Sequence, residues 1–356
     1  MKRQLFTTFE RVTVKLSIVT VCLLALPFAI TTPATAAGKL NIYNWGDYIN
    51  PDVLTRFTKD TGIEVTLDTY GTNEEMLAKI QAGAAGYDIV FPSVHMRDIM
   101  QKTGLLYDAK VNTLKGFENI DPANKRSKVD PESSYCLPYA WGAVGVFYNK
   151  QEAGEIKTWD DFFALSDKGK KITVLDDLRE TIGIALIKNG YSVNTGNSDE
   201  LKEAEAWLLA RKDKISAFSY DIVSLVQSGD IAAAHWYVGA TLYTLEEPDK
   251  LGFVIPEEGA TMYQEDICVL KDAPNKDSAI KFMEFYMQPE IAALNTLQQV
   301  NGTANMPARD LLPANLKENP NTNPPPEVIK KLQIFEDLGN NLRKYNRIWT
   351  KVRTAQ

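Results

Sequence analysis

The sequence predicts an α/β fold with parallel strands, in a chain long enough for two domains. Three observations carry that expectation. Short stretches of strand character alternate with segments of helical spacing over residues 40–93. Asn, Pro and Gly mark where those helices start and stop. A further strand runs into an acidic helix start near residue 172. Strand and helix in alternation argue for βαβ units, and so for a parallel sheet covered by helices.

The first 36 residues stand apart from this pattern. Lys2, Arg3, Arg11 and Lys15 precede a nearly continuous apolar run over 16–30, and Ala34-Thr35-Ala36 supplies small residues for cleavage before Ala37. This is the layout of an export signal. The alternative, a retained anchor, needs about 20 apolar residues, more than this run offers. Val21 before Cys22 is not the small residue that lipid attachment favours. Removing residues 1–36 deletes four basic groups and Glu10, a net +3, so the formal charge of −7 becomes −10. An acidic mature chain disfavours nucleic acid as a partner, though solubility alone accounts for such a charge equally well.

About 320 residues remain, enough for two cores. Residues 40–44 alternate as a strand. Asn50-Pro51 reads as an N-cap with Pro at N1, followed by Val53, Leu54 and Phe57 at helical spacing and a stop at Gly62. A second strand spans 63–69, a second helix starts at Asn73 and carries Met76, Leu77 and Ile80, and residues 87–91 form a buried strand ending at Pro92-Ser93. Residues 139–149 make a long extended stretch with small side chains, suited to crossing between lobes. Residues 159–165 read as helix and 172–175 as strand, and a helix from Asp177 stops at Asn189-Gly190. Cys136 and Cys268 both survive cleavage, and spacing leaves open whether they meet.

Ligands in open α/β sheets bind beyond the carboxyl ends of strands. Tyr43-Asn44-Trp45-Gly46-Asp47-Tyr48 and Ser93 to His95 both follow such ends, so the two segments should converge on one crevice. Two large aromatics beside a carboxylate suit an organic cation, and Asp47 is the weaker candidate of the group. Asp177 and Glu180 follow a third strand end. Their spacing fits a capping box, in which Asp177 accepts from the N3 amide and Glu180 reaches back. Capping by one and binding by the other are compatible. Trp236 ends a buried strand as readily as it lines a site. His95 and His235 are the only histidines, and neither has metal-ligand spacing to another His or Cys. His235 reads as structural, His95 as a pocket wall.

Five segments in register, Asn44 to Tyr48, Tyr87 to Ser93, Pro138 to Gly142, Asp176 to Glu180 and Pro256 to Gly259, resemble the pattern of periplasmic spermidine/putrescine-binding proteins. The resemblance spans essentially the whole mature chain. It implies a periplasmic-binding-protein-like fold of two α/β lobes, 37–143 plus 267–314 and 144–266 plus 315–356, joined by crossing strands with the ligand in the cleft between them. Carried over by position, Trp45, Tyr48, Ser93, Asp177, Glu180, Trp236, Tyr263 and Glu265 fall on the polyamine site, with Gly46 and Asp47 beside them. The chain departs from the pattern in placing His95 where a third aromatic is common, Tyr263 and Glu265 where Trp and Asp are usual, and Asn301 where a Tyr is common. Phe335 and Glu336 align too loosely to assign.

The resemblance further implies a monomeric periplasmic protein, without cofactor, that delivers polyamine to an ABC permease in the inner membrane. Some relatives instead serve as polyamine sensors docking on a membrane receptor for cyclic dinucleotide signalling, an output the sequence does not separate from import. An enzyme is not expected. The chain has no Ser-His-Asp arrangement in motif context, no phosphate-cradling Gly loop and no zinc signature. A carboxylate pair such as Asp177 with Glu180 or Glu265 is the remote basis for a hydrolase.

Overall fold

The computed structural model describes residues 38–83 and 86–354. The export signal expected over 1–36, its cleavage point and Cys22 lie outside the described residues. Eleven strands appear among the described residues: β1 (Gly38–Trp45), β2 (Ile63–Tyr70), β3 (Ile89–Val90), β4 (Cys136–Asn149), β5 (Ile172–Val174), β6 (Ile215–Phe218), β7 (Ala233–Tyr237), β8 (Leu251–Val254), β9 (Ala260–Val269), β10 (Gly302–Thr303) and β11 (Leu332–Ile334). They join in the order β2-β1-β3-β9-β4-β7-β5-β6, with β8 and β10 paired to β4 and β11 to β9.

The expected βαβαβ unit is present, and β1 pairs in parallel with β2 and β3. Asn50 caps helix Pro51–Thr61 by accepting from the Asp52 amide, and Gly62 closes it at a φ of 73°, where glycine carries no Cβ penalty. Val53 and Phe57 are the buried residues of that helix, and Phe57 packs edge-on against Phe282 and Phe285. The strand expected over 87–91 shrinks to two residues. Asp88 spends its carboxylate on the amides of Asn41 and Asn275 (2.8 and 2.7 Å), and Pro92 has no N–H to add to a ladder.

Only parts of the sheet are parallel. β5 pairs in parallel with β6 and β7, but β4 runs antiparallel to β7, β8, β9 and β10, and β9 antiparallel to β3. The parallel sheet expected of the βαβαβ unit holds for β1, β2 and β3. The chain crosses once in β4 and returns in β9, and two neighbouring strands that carry it in opposite directions pair antiparallel.

These two strands also connect separate cores. Leu137, Tyr139 and Ala140 of β4, with Ile267 and Val269 of β9, belong to a core that includes Leu40, Ile42, Phe57, Phe91 and Phe282. Val146 of β4 and Ala260 of β9 belong to another, built on Trp159, Phe162, Ile172 and Ala233. Helix Leu342–Thr354 packs Tyr345, Ile348 and Val352 against Ile182, Leu186 and Leu201 beside this second core. Cys136 and Cys268 stand opposite one another on β4 and β9, 4.5 Å apart at Cα, and are joined in a disulfide.

Candidate functional site

Side chains alternate across a strand, so β9 sends Thr261, Tyr263 and Glu265 to one face and Gln264 and Asp266 to the other. On the second face Asp266 pairs with Arg97, which also holds Asp130, both at 2.5 Å. The first face carries the candidate site. There Ala140, Gly142 and Val144 of β4 lie opposite Glu265, Tyr263 and Thr261. A Cβ on Gly142 would sit 2.6 Å from the Tyr263 hydroxyl oxygen, so only glycine lets that ring lie against the strand.

Glu265 anchors one end. It is 6% exposed. Tyr48 donates its hydroxyl to Oε2 (2.7 Å) and Ser93 donates to Oε1 (3.2 Å). Ser93 precedes helix Val94–Lys102 at the N-cap position but makes no cap bond, its hydroxyl being turned to Glu265. Asn301 is buried, and its amide donates to the Tyr48 hydroxyl (3.3 Å), while its Oδ1 has no partner among the described residues. Trp45 is fixed by its indole N–H on the Phe91 carbonyl (2.8 Å), with its ring tilted against Tyr70 at 4.7 Å. Gly46 and Asp47 are exposed in the turn that follows, Asp47 at a φ of 53°.

Glu180 anchors the other carboxylate group. Asp177 is the N-cap of helix Leu178–Lys188, its Oδ1 accepting from the amides of Arg179 (2.7 Å) and Glu180 (2.9 Å). The expected reciprocal half of the capping box is absent. Glu180 turns away from the Asp177 backbone and accepts from the Thr261 hydroxyl of β9, drawn there because Gly183 lets the helix approach Thr261 closely. His235, read from sequence as structural, is buried with Nε2 3.8 Å from Glu180 Oε2, and neither ring nitrogen has a hydrogen-bond partner among the described residues.

A run of touching aromatic rings accompanies these carboxylates. Trp236 contacts Tyr220 at 6.3 Å and Tyr237 at 5.7 Å, and Tyr237 contacts Tyr263 at 5.7 Å, edge-on. Tyr220 also donates to Asp177 Oδ2 (3.4 Å). Burial pushes the Tyr237 phenol well above its ordinary range, and Glu180, Tyr220, Asp177 and Glu265 push it the same way. Tyr237 therefore sits in the field of all three carboxylates. Sequence reading missed Tyr220, Tyr237 and Thr261. Thr261 had a visible signal, standing two and four residues before Tyr263 and Glu265 on one strand face, whereas Tyr220 lies in a loop with no pattern to mark it.

His95 has an aromatic and a charged neighbour. It lies edge-on to Phe335 at 6.3 Å, and burial followed by the Arg179 charge pushes its pKa down to about 3, against Asp337. Arg179 itself stacks on Phe335 at 4.5 Å.

The electrostatics favour a cation. Burial, and then Asp177, pushes the Glu180 carboxyl up to about 8. Burial pushes Glu265 up to about 8 even though Tyr48 and Ser93 pull it down. Carboxyls held this far above their usual range lack positive charge, which an ammonium group would supply. No cluster of His, Cys, Asp or Glu fit to hold a metal ion occurs among the described residues.

The family model for bacterial extracellular solute-binding proteins matches residues 52–324. The chain is a bacterial extracellular solute-binding protein. This solute-binding protein is similar to the putrescine-binding periplasmic protein SpuD of Pseudomonas aeruginosa, 32% identical over 95% of this chain and 98% of that one. It is also similar to the spermidine/putrescine-binding periplasmic protein of Escherichia coli, 30% identical over 89% of this chain and 92% of that one. Among solved structures it superposes on the substrate-binding protein of a spermidine/putrescine ABC transporter from Streptococcus pneumoniae with a TM-score of 0.81, at 33% identity, covering 89% of this chain and 99% of that one.

Proposed function

We propose that this solute-binding protein captures a putrescine- or spermidine-like polyamine in the periplasm and delivers it to an ABC permease. The observation that carries the proposal is the pair of buried carboxylates, Glu180 and Glu265, with the aromatic side chains of Tyr48, Trp236, Tyr237 and Tyr263 grouped near them. Curated relatives and solved neighbours named for putrescine and spermidine support the ligand class. A polyamine alternates ammonium groups with methylenes. It needs anions at the nitrogens and flat walls between them, and an aromatic face over a desolvated ammonium contributes up to about 2 kcal/mol.

Two lobes divided near residues 143/144 and 266/267 would close over the ligand, with β4 and β9 as the connecting strands. The segment 1–36 would act as the export signal, cleaved near Ala36/Ala37, and the mature protein would work as a monomer. Nothing in the names of the relatives favours the sensor output over import. Calorimetry with putrescine, cadaverine, spermidine, amino acids and sugars tests the reading. Binding confined to the polyamines, weakened by high salt, is the expected result. Equal binding of a neutral sugar, or no polyamine binding at all, would sink it.

A further inference from the structure

Asn73 opens helix Asn73–Gln81, yet Thr72 caps that helix and the Asn73 side chain is turned toward Ser93. It is 9% exposed. Its carboxamide brackets one residue, with Oδ1 accepting from the Ser93 backbone N–H (3.2 Å) and Nδ2 donating to Ser93 Oγ (3.0 Å). A serine hydroxyl has one proton and two lone pairs. With a donor already directed at Oγ, the hydroxyl proton is free to point at Glu265 Oε1, 3.2 Å away. Asn301 stands in the same relation to the Tyr48 hydroxyl, which donates to the other oxygen of Glu265.

We infer that Asn73 is a positioning residue for ligand binding, aiming the Ser93 hydroxyl so that Glu265 presents a fixed, donor-supported carboxylate to a bound ammonium group. The inference rests on the polyamine reading for its ligand but not for its geometry. Hydrogen bonds in such a chain polarise one another, so removing the outer amide weakens the inner bond to the carboxylate. Asn73 itself touches neither Glu265 nor, by this account, the ligand.

A double-mutant cycle on the full mature protein separates positioning from a general structural role. Asn73→Ala and Ser93→Ala are made singly and together, with Asn73→Asp as a variant that keeps the acceptor for the Ser93 amide and suits a helix N-terminus. Two readouts are taken: putrescine affinity by calorimetry, and the titration of the Glu265 carboxyl carbon by NMR in the ligand-free protein. Asn73→Ala is expected to weaken putrescine binding on the order of fivefold to thirtyfold and to raise the Glu265 midpoint, and both effects should vanish within about twofold when Ser93 is already Ala. Additive effects, or a Glu265 titration that Asn73→Ala leaves unmoved, would overturn the inference. If the parent does not bind putrescine, the ligand reading fails while the Glu265 titration still decides the role of Asn73.

Discussion

At the scale of single residues, the site is governed by two carboxyls that burial holds near pH 8. A raised acid pKa means the native state binds more protons than the unfolded chain between pH 4.5 and 8, so stability of the ligand-free protein falls as pH rises through that window and levels off above it. An ammonium ligand reverses the demand, because it binds the ionised carboxylates and expels their protons. Putrescine affinity is therefore expected to rise from pH 5 to pH 8, by up to about tenfold per pH unit for each proton released. The thermal shift produced by saturating putrescine at each pH measures this, and a flat profile would contradict it. Replacing Glu265 with Gln removes a charge-assisted contact and should weaken binding on the order of 10- to 100-fold by calorimetry while making the profile shallower.

At the scale of elements, β4 and β9 carry both the connection between cores and the site itself. Their disulfide spans 132 residues of sequence. Closing a loop of that size in the unfolded state contributes up to about 5 kcal/mol, so Cys136→Ser or reduction should lower the melting temperature markedly, and alkylation of the unreduced mature protein should find no free thiol. Much at this scale was legible beforehand. Asn50-Pro51 and Gly62 bounded a helix correctly because capping and glycine's left-handed φ are local properties. The same logic succeeded at Asp177 and failed at Glu180, where Thr261, 81 residues away, offered the carboxylate a better partner than the helix's own backbone.

At the scale of the molecule, the two cores also meet through ion pairs. Lys102, at the end of helix Val94–Lys102, reaches Asp337 at 2.9 Å, and Lys128 reaches Glu336 at 2.7 Å. Both lysines are largely exposed, so each pair contributes only about 0–1 kcal/mol. If closure brings these groups together, the double variant Lys102→Glu with Lys128→Glu should weaken putrescine binding several-fold without touching the carboxylates, and that loss should fade in high salt. Unchanged affinity at low ionic strength would show that the pairs take no part in closure.

The sequence by itself determined the α/β class, the first βαβαβ unit, the helix capped by Asp177, the carboxylates and aromatics, and the resemblance that points to a cation. Hydrophobic period, capping residues and turn glycines act within a few residues, so they are written locally. Tertiary structure alone decided that Cys136 faces Cys268, that His95 packs edge-on to Phe335, and that His235 lies beside Glu180. It also put Tyr237 within the field of Glu180, Asp177 and Glu265 and set Asn73 behind Ser93. These relations depend on the register of β4 against β9 and of β4 against β7. That register is fixed by pairing between segments roughly 85 to 130 residues apart, through backbone hydrogen bonds and buried faces that no local pattern encodes.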